Sequence, residues 1–212
     1  MVGFLGHLAA NTGRSLARGV GSLFKSKGNR KDLAGYYEAE LGRLASNFAV
    51  SADLALVLGG RLKFEEMLSG RFADAFGTLY LGYACLWYYE QHKAVEGIDA
   101  VLELAMENLL QQNQQALHGI AANFPVPGIG SLMTAVCFPV GRTPYAGPSD
   151  GMRKAAAGLI STPSGVRSLL SEGIFISKVC GRDGGVSVVC VLLFDLSIFD
   201  LSNLCIYMYM LT

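Results

Sequence analysis

An all-α fold, an antiparallel helical bundle followed by an apolar C-terminal tail, is what this sequence predicts, and three observations lead there. Between residues 32 and 122 the apolar side chains recur at spacings of three and four rather than two, which is the stripe of a helix. The stripes are interrupted by a glycine pair and by prolines, residues that end helices. Apolar residues make up 51% of the 212 residues and charged residues 16%, enough for one packed core and too apolar for a disordered or collagen-like chain.

Residues 1–31 form the opening element. They carry Arg14, Arg18, Lys25, Lys27, Arg30 and Lys31 and no acidic residue, interleaved with Phe4, Leu5, Leu8, Leu16, Val20, Leu23 and Phe24. That pattern is a basic amphipathic helix, and three readings stay open for it. It suits a mitochondrial transit peptide, a helix lying on anionic membrane, or a helix of the native bundle with a basic polar face. It does not suit a secretory signal, because the apolar run before Arg14 is too short.

The bundle proper occupies residues 32–178. Asp32 can accept the free amides of a first helical turn, and Leu41, Leu44, Ala45, Phe48, Ala52, Ala55, Leu56 and Gly59 follow on one stripe up to the turn at Gly59-Gly60. A second helix carries Leu68, Phe72, Ala75, Phe76, Leu79, Tyr83 and Leu86. A third runs from about Ile98 to Ala122, with Val101, Leu102, Ala105, Leu109 and Leu117 inward and a glutamine-rich outer face, until Pro125 and Pro127 stop it. Long helices joined by short turns pack antiparallel. A short apolar stretch, Ile129 to Val140, then precedes a loop. Ser149 or Asp150 caps a last amphipathic helix through Met152, Ala156, Leu159 and Ile160, which Pro163 breaks; Val166, Leu169 and Leu170 add a turn or two.

The chemistry-bearing residues are few. Lys plus Arg and Asp plus Glu both number 17, so no excess charge draws the chain to nucleic acid. Cys85, Cys137, Cys180, Cys190 and Cys205 are odd in number, form no CxxC pair and lie far in sequence from His7, His92 and His118. Reduced thiols inside a cell are expected, with no metal site. Asp53, Arg71 and Asp74 fall among apolar helix residues, and a charged network tying two helices in register is expected of them. Tyr80, Tyr83, Trp87, Tyr88 and Tyr89 read as core packing rather than a ring-stacking ligand site. Gly19-Val20-Gly21 and Gly128-Ile129-Gly130 each open a GxGxxG but have Phe24 and Met133 where the third glycine belongs, and neither follows a strand. No catalytic, cofactor-binding or metal-binding residue is assigned.

Longer strings carry a resemblance. "LGRLASNFAVSADLALVLGGRLKFEEMLSGRFADAFGTLYL" (residues 41–81), "NFPVPGIGSLMTAVCFPVGRTPYAGPSD" (residues 123–150, above all "FPVGR" with "GPSD") and the opening "GFLGHLAANTGRSLARGVGSLF" keep order and spacing through "STPSGVRSLLSEGIFIS". Over residues 3–176 the chain resembles the C-terminal helical region of bacterial-type long-chain acyl-CoA dehydrogenases. The resemblance implies FAD-dependent α,β-dehydrogenation of fatty acyl-CoA, the opening step of β-oxidation, in which a glutamate takes the α proton and the flavin accepts the β hydride. In that family the flavin domains and the glutamate base lie upstream of the matched part. Glu96-Gly97 and Glu172-Gly173 fall outside the segment of the base, so no catalytic or FAD-binding role is carried over. The chain is therefore expected to be an accessory domain, not competent alone. Its implied partners are the upstream flavin-binding domains, with a homodimer contact or a membrane surface as further roles for such a domain. The rival reading is a stand-alone helical binding or membrane-surface module. Compartment stays open between mitochondrial and membrane-associated.

Residues 179–212 break with all this. After Asp183 there is no basic residue, and from Val186 to Thr212 the chain is mostly apolar and long enough to cross a bilayer. Asp195 and Asp200 oppose that, each costing about 2.5–3.5 kcal/mol at a membrane centre. Alternation at Val186, Val188 and Cys190 suits strands. The abrupt change of composition also suits out-of-frame or intron translation appended to a domain.

Overall fold

The structure, a computed structural model, describes residues 2–24, 32–139 and 145–172. Every reading of residues 179–212 lies outside the described residues. The described residues up to Val166 form one compact unit, and those from Arg167 onward belong to a second. Among the described residues the elements are helical: α1 (Val2–Phe24), α2 (Leu33–Ala55), α3 (Glu66–His92), α4 (Ile98–Ala122), α5 (Ile129–Cys137), α6 (Asp150–Ser161) and α7 (Gly165–Ser171), with a 3-10 segment, Leu56–Phe64, between α2 and α3.

The helix boundaries have visible causes. Asp32 caps α2 by accepting from the Gly35 amide at 3.2 Å. Gly59 sits at φ 51°, a backbone state costly for any side chain, and kinks the 3-10 segment where the glycine pair predicts a turn. Gly97, at φ 89°, opens α4. Ser149, rather than Asp150, caps α6 by accepting from the Met152 amide at 3.3 Å.

α2, α3 and α4 form the antiparallel centre. Tyr37, Leu41, Leu44, Val50, Leu68, Ala75, Leu79, Leu102, Met106, Leu110, Leu117 and Ile120 belong to one buried cluster that α5 closes through Met133, Val136 and Cys137. α2 with its 3-10 extension is long and apolar enough to span a membrane by composition, but 61% of its apolar 18-residue stretch is buried in the protein.

Three expectations about side-chain direction are corrected. The first stripe ends at Ala55: Leu56 is exposed, because the chain leaves the α-helix there. The glutamine face of α4 is not wholly outer, since Gln114 is buried and pairs with the backbone of Tyr145. On α3, Phe76 and Tyr83 are exposed, and so are Tyr80 and Trp87. Core packing does not account for that cluster; Tyr89 alone among its members packs partly against the core. α3 buries Leu68, Ala75, Thr78, Leu79, Gly82 and Leu86 instead, and that one face is used up by α2 and α4.

Candidate functional site

Buried polar groups must be paired, so they are where chemistry or specificity concentrates. Two such clusters flank the apolar centre. In the first, one turn of α2 brings Glu40 and Arg43 to the same face, 3.7 Å apart and both buried. Tyr145, on the irregular segment before α6, donates its hydroxyl to Glu40 and accepts from Arg43 Nε at 3.3 Å. The Arg43 guanidinium also lies 5.0 Å from the Tyr145 ring centroid. Burial pushes the Tyr145 phenol well above its ordinary value, and the nearby Arg43 only partly offsets this. Gln114 of α4 holds the Tyr145 backbone from both sides, its amide nitrogen donating to the carbonyl and its oxygen accepting from the N–H, each at 3.2 Å. A turn earlier on α2, Tyr37 donates to Glu107 of α4 at 3.3 Å. The cluster ties α2, α4 and the segment before α6 together. A protonated, anchored tyrosine is a fixed hydrogen-bond donor here, not a proton acceptor.

The second cluster joins α1 to the bundle. Asp53 accepts from Asn11 at 2.6 Å and faces His7 Nδ1 at 3.3 Å. Ser15 donates to Asn47 at 2.7 Å, and Asn47 donates to the Cys137 carbonyl at 3.0 Å. Arg18 reaches Ser46 and the Gly42 carbonyl, each at 2.5 Å. Burial raises the Cys137 thiol to about 11 against the weaker opposing bonds from Ser51 and Ser15, so it is a poor nucleophile.

The expected Asp53–Arg71–Asp74 network does not form. Asp53 turns to α1, Arg71 donates to the Met67 carbonyl of its own helix at 3.3 Å, and Asp74 is exposed. The glycine pairs have structural uses. Gly19-Val20-Gly21 lies inside α1. Gly128 takes φ 83° to start α5, and a Cβ on Gly130 would overlap the carbonyl oxygen of Ala121. Gly147 of "GPSD" takes φ 85°, and a Cβ there would overlap the Gln111 amide. Of "FPVGR", Phe138 is buried and stacks on His118 with ring centroids 3.9 Å apart, while residues 140–144 lie outside the described residues. Glu96 is an exposed turn residue before α4. Among the described residues no three His, Cys, Asp or Glu side chains converge as metal ligands. Glu40, Arg43, Glu107, Gln114 and Tyr145 were not singled out by sequence reasoning; the signal that finds Glu40 and Arg43 is an i, i+3 charge pair inside the Leu41–Leu44 apolar stripe.

These features are fold determinants spread from α1 to α6, and the sequence match is equally broad. Residues 1–185 match the family described as acyl-CoA dehydrogenase, C-terminal, bacterial type. The chain belongs to that family. The match runs past residue 176, where the resemblance stops. No solved structure matches the chain.

Acyl-CoA dehydrogenases use FAD in general, which makes the fit of a flavin to these residues a fair question. The fit is poor. A pyrophosphate needs a glycine turn open to an anion, whereas the space at Gly130 is filled by the electronegative Ala121 carbonyl. The buried cation Arg43 is committed to Glu40 and Tyr145.

Proposed function

We propose that this chain is the accessory helical domain of an FAD-dependent acyl-CoA dehydrogenase of fatty acid β-oxidation, a part that carries neither the glutamate base nor the flavin site. The family match over residues 1–185 carries the reading. It is supported by the commitment of the buried polar groups: Glu40, Arg43, Tyr145 and Gln114 on one side and Asn11, Asp53, Ser15 and Asn47 on the other are bonded to one another across helices. Such groups give a helical domain one fixed packing and leave the chemistry to the partner. Its role is to brace the upstream flavin-binding domains.

The experiment mixes the purified chain with the flavin-binding region of an acyl-CoA dehydrogenase of this family. The expected result is no flavin absorbance in the chain alone, a stable complex on gel filtration, and acyl-CoA-dependent dye reduction higher in the mixture than in the flavin region. A chain that ignores the flavin region and binds anionic vesicles in a salt-dependent way sinks the proposal in favour of a membrane-surface module. Two of the basic residues that reading needs, Arg14 and Arg18, instead bond to Asn11 and to Ser46 and Gly42, which counts against it.

A further inference from the structure

The open face of α3 has a composition that the bundle itself does not call for. Phe76, Tyr80, Tyr83 and Trp87 are 60%, 67%, 43% and 66% exposed, on a segment, residues 75–89, with no charged side chain. The four aromatics repeat at four, three and four residues and line one side of the helix. Beside them run small residues at heptad spacing, Gly70, Gly77 and Ala84, and offset from these another heptad row, Ala73, Tyr80 and Trp87. Glycine is the poorest helix former after proline, and a Cβ at Gly70 or Gly77 would meet nothing within 4 Å. Gly82, on the buried face, is different: a Cβ there would come within 2.6 Å of Leu41. The outer glycines leave shallow holes beside projecting rings.

We propose that this face is a homodimer interface, in which α3 of two copies pairs antiparallel about a two-fold axis with Tyr80 and Trp87 of each helix seated on the glycines of the other. One register satisfies every position. Trp87 lies over Gly70 of the second copy, Tyr80 over Gly77, and Ala73 over Ala84, and the two-fold repeats each contact in reverse. The same register sets Phe76 against Leu81 of the second copy and brings the Tyr83 hydroxyl to the Asp74 carboxylate. In-register parallel pairing would stack tryptophan on tryptophan and glycine on glycine, leaving holes beside clashes. A symmetric contact requires a self-complementary surface, and alternating rings and glycines supply one.

Area and charge favour the second copy over other occupants. At about 150–250 Å² for each aromatic side chain, the exposed fractions give roughly 450 Å² of aromatic surface per copy. Two copies with Leu81, Met67, Ala73 and Ala84 added pass the roughly 1,000 Å² that marks a specific interface. A helix that lies on membrane carries a rim of lysine and arginine. Here the nearest exposed charges are Asp74 and Glu90, and Lys93 is tied to Glu90 at 2.7 Å.

Trp87 is the only tryptophan in the chain, so its fluorescence reads this face alone. Sedimentation of the full chain at increasing concentration is expected to show a dimer, with Trp87 emission moving to shorter wavelength in step. Tyr80→Glu and Gly77→Leu are each expected to weaken the dimer at least about 30-fold, as central interface residues do. Gly77→Leu fills open space in the single chain, so its helix content by circular dichroism stays equal or rises while the dimer is lost. Register is tested by mixing Ala73→Cys and Ala84→Cys chains under oxidation and identifying the linked peptides by mass spectrometry. A 73–84 link is expected, and no 73–73 link, because those positions sit roughly 16 Å apart along the axis at 1.5 Å per residue. A chain that stays monomeric overturns the proposal, as does a dimer indifferent to both substitutions or a dominant 73–73 link. So does a Trp87 shift seen only with anionic vesicles or only with the flavin-binding region. The mixing experiment for accessory function reads a different contact, so either proposal can fail alone.

Discussion

Replacing Gly130 by alanine separates steric close approach from backbone conformation, because Gly130 has no positive φ and its only demand is space. A Cβ there would stand 3.2 Å from the Ala121 carbonyl carbon and nearer still to its oxygen, with Phe124 Cβ 3.7 Å away. Carbon atoms rest at about 3.5–4.0 Å, so α5 must back away from the end of α4. The obstacle is backbone and cannot rotate aside. Overpacking costs about 1–3 kcal/mol, here at the upper end, against a helix-propensity gain of at most about 1 kcal/mol. The net loss is about 2 kcal/mol, equivalent to a fall of roughly 4–8 °C in Tm for a domain of this size. Two internal controls come with it. Gly158, in α6, has nothing within 4 Å of its Cβ, so Gly158→Ala should gain up to about 1 kcal/mol. Gly82→Ala falls between, since the Leu41 methyl it meets at 2.6 Å can yield by a rotamer shift costing about 0.5–1.5 kcal/mol. Urea unfolding followed by circular dichroism at 222 nm measures all three. If Gly130→Ala unfolds at the same midpoint as Gly158→Ala, the steric argument is wrong.

Burial holds the His118 imidazole below its ordinary value of 6.5, with the ring stacked on Phe138. The unfolded chain therefore takes up the proton first, and stability falls as pH drops from 7 through 6.5; in His118→Phe the difference between urea midpoints at pH 7.5 and 5.5 should shrink. Tyr145→Phe removes the hydroxyl that bridges Glu40 and Arg43 and should cost about 1–3 kcal/mol, and an unchanged urea midpoint would show the cluster to be dispensable. The Cys137 thiol, raised to about 11 by burial, should resist iodoacetamide at pH 7 until the chain unfolds, as mapped by mass spectrometry; rapid native labelling would mean that α5 opens readily.

Much of the fold was legible because local rules and tertiary demands agree over residues 32–122 and again at the start of α6. The cap at Asp32, the break at Gly59, the span of α4 and the cap at Ser149 are each dictated by a few neighbouring residues. Periodicity also reports that a stripe is apolar, but it does not report which stripe meets a partner. α3 shows the consequence. Its apolar residues surround the helix, and the bundle takes the side bearing Leu68, Ala75, Leu79 and Leu86. The small residues Ala75 and Gly82 let α3 approach its neighbours closely, whereas the rings of Tyr80 and Trp87 would hold them apart. A reading that ranks side chains by size puts the aromatics inward, and close packing reverses the choice.

The polar sites were hidden for a related reason. Asp53 could be assigned a partner only by proximity along the bundle, and Arg71 stood on the neighbouring helix. The actual partners, Asn11 and His7, come from α1, a helix whose basic composition drew attention to its charges rather than its amides. α1 docks through a line of short polar side chains, Asn11 to Asp53, Ser15 to Asn47 and Arg18 to Ser46. An interface of that kind is specific in register, since each bond has one geometry, and Leu8 of α1 adds an apolar contact with the core. The first helix is thereby held in register by directional bonds, while the α2–α3–α4 centre is built around the buried apolar cluster. Loss of a single seam residue such as Asn47, which bonds to both Ser15 and the Cys137 carbonyl, should therefore loosen α1 and α5 together and leave the centre folded.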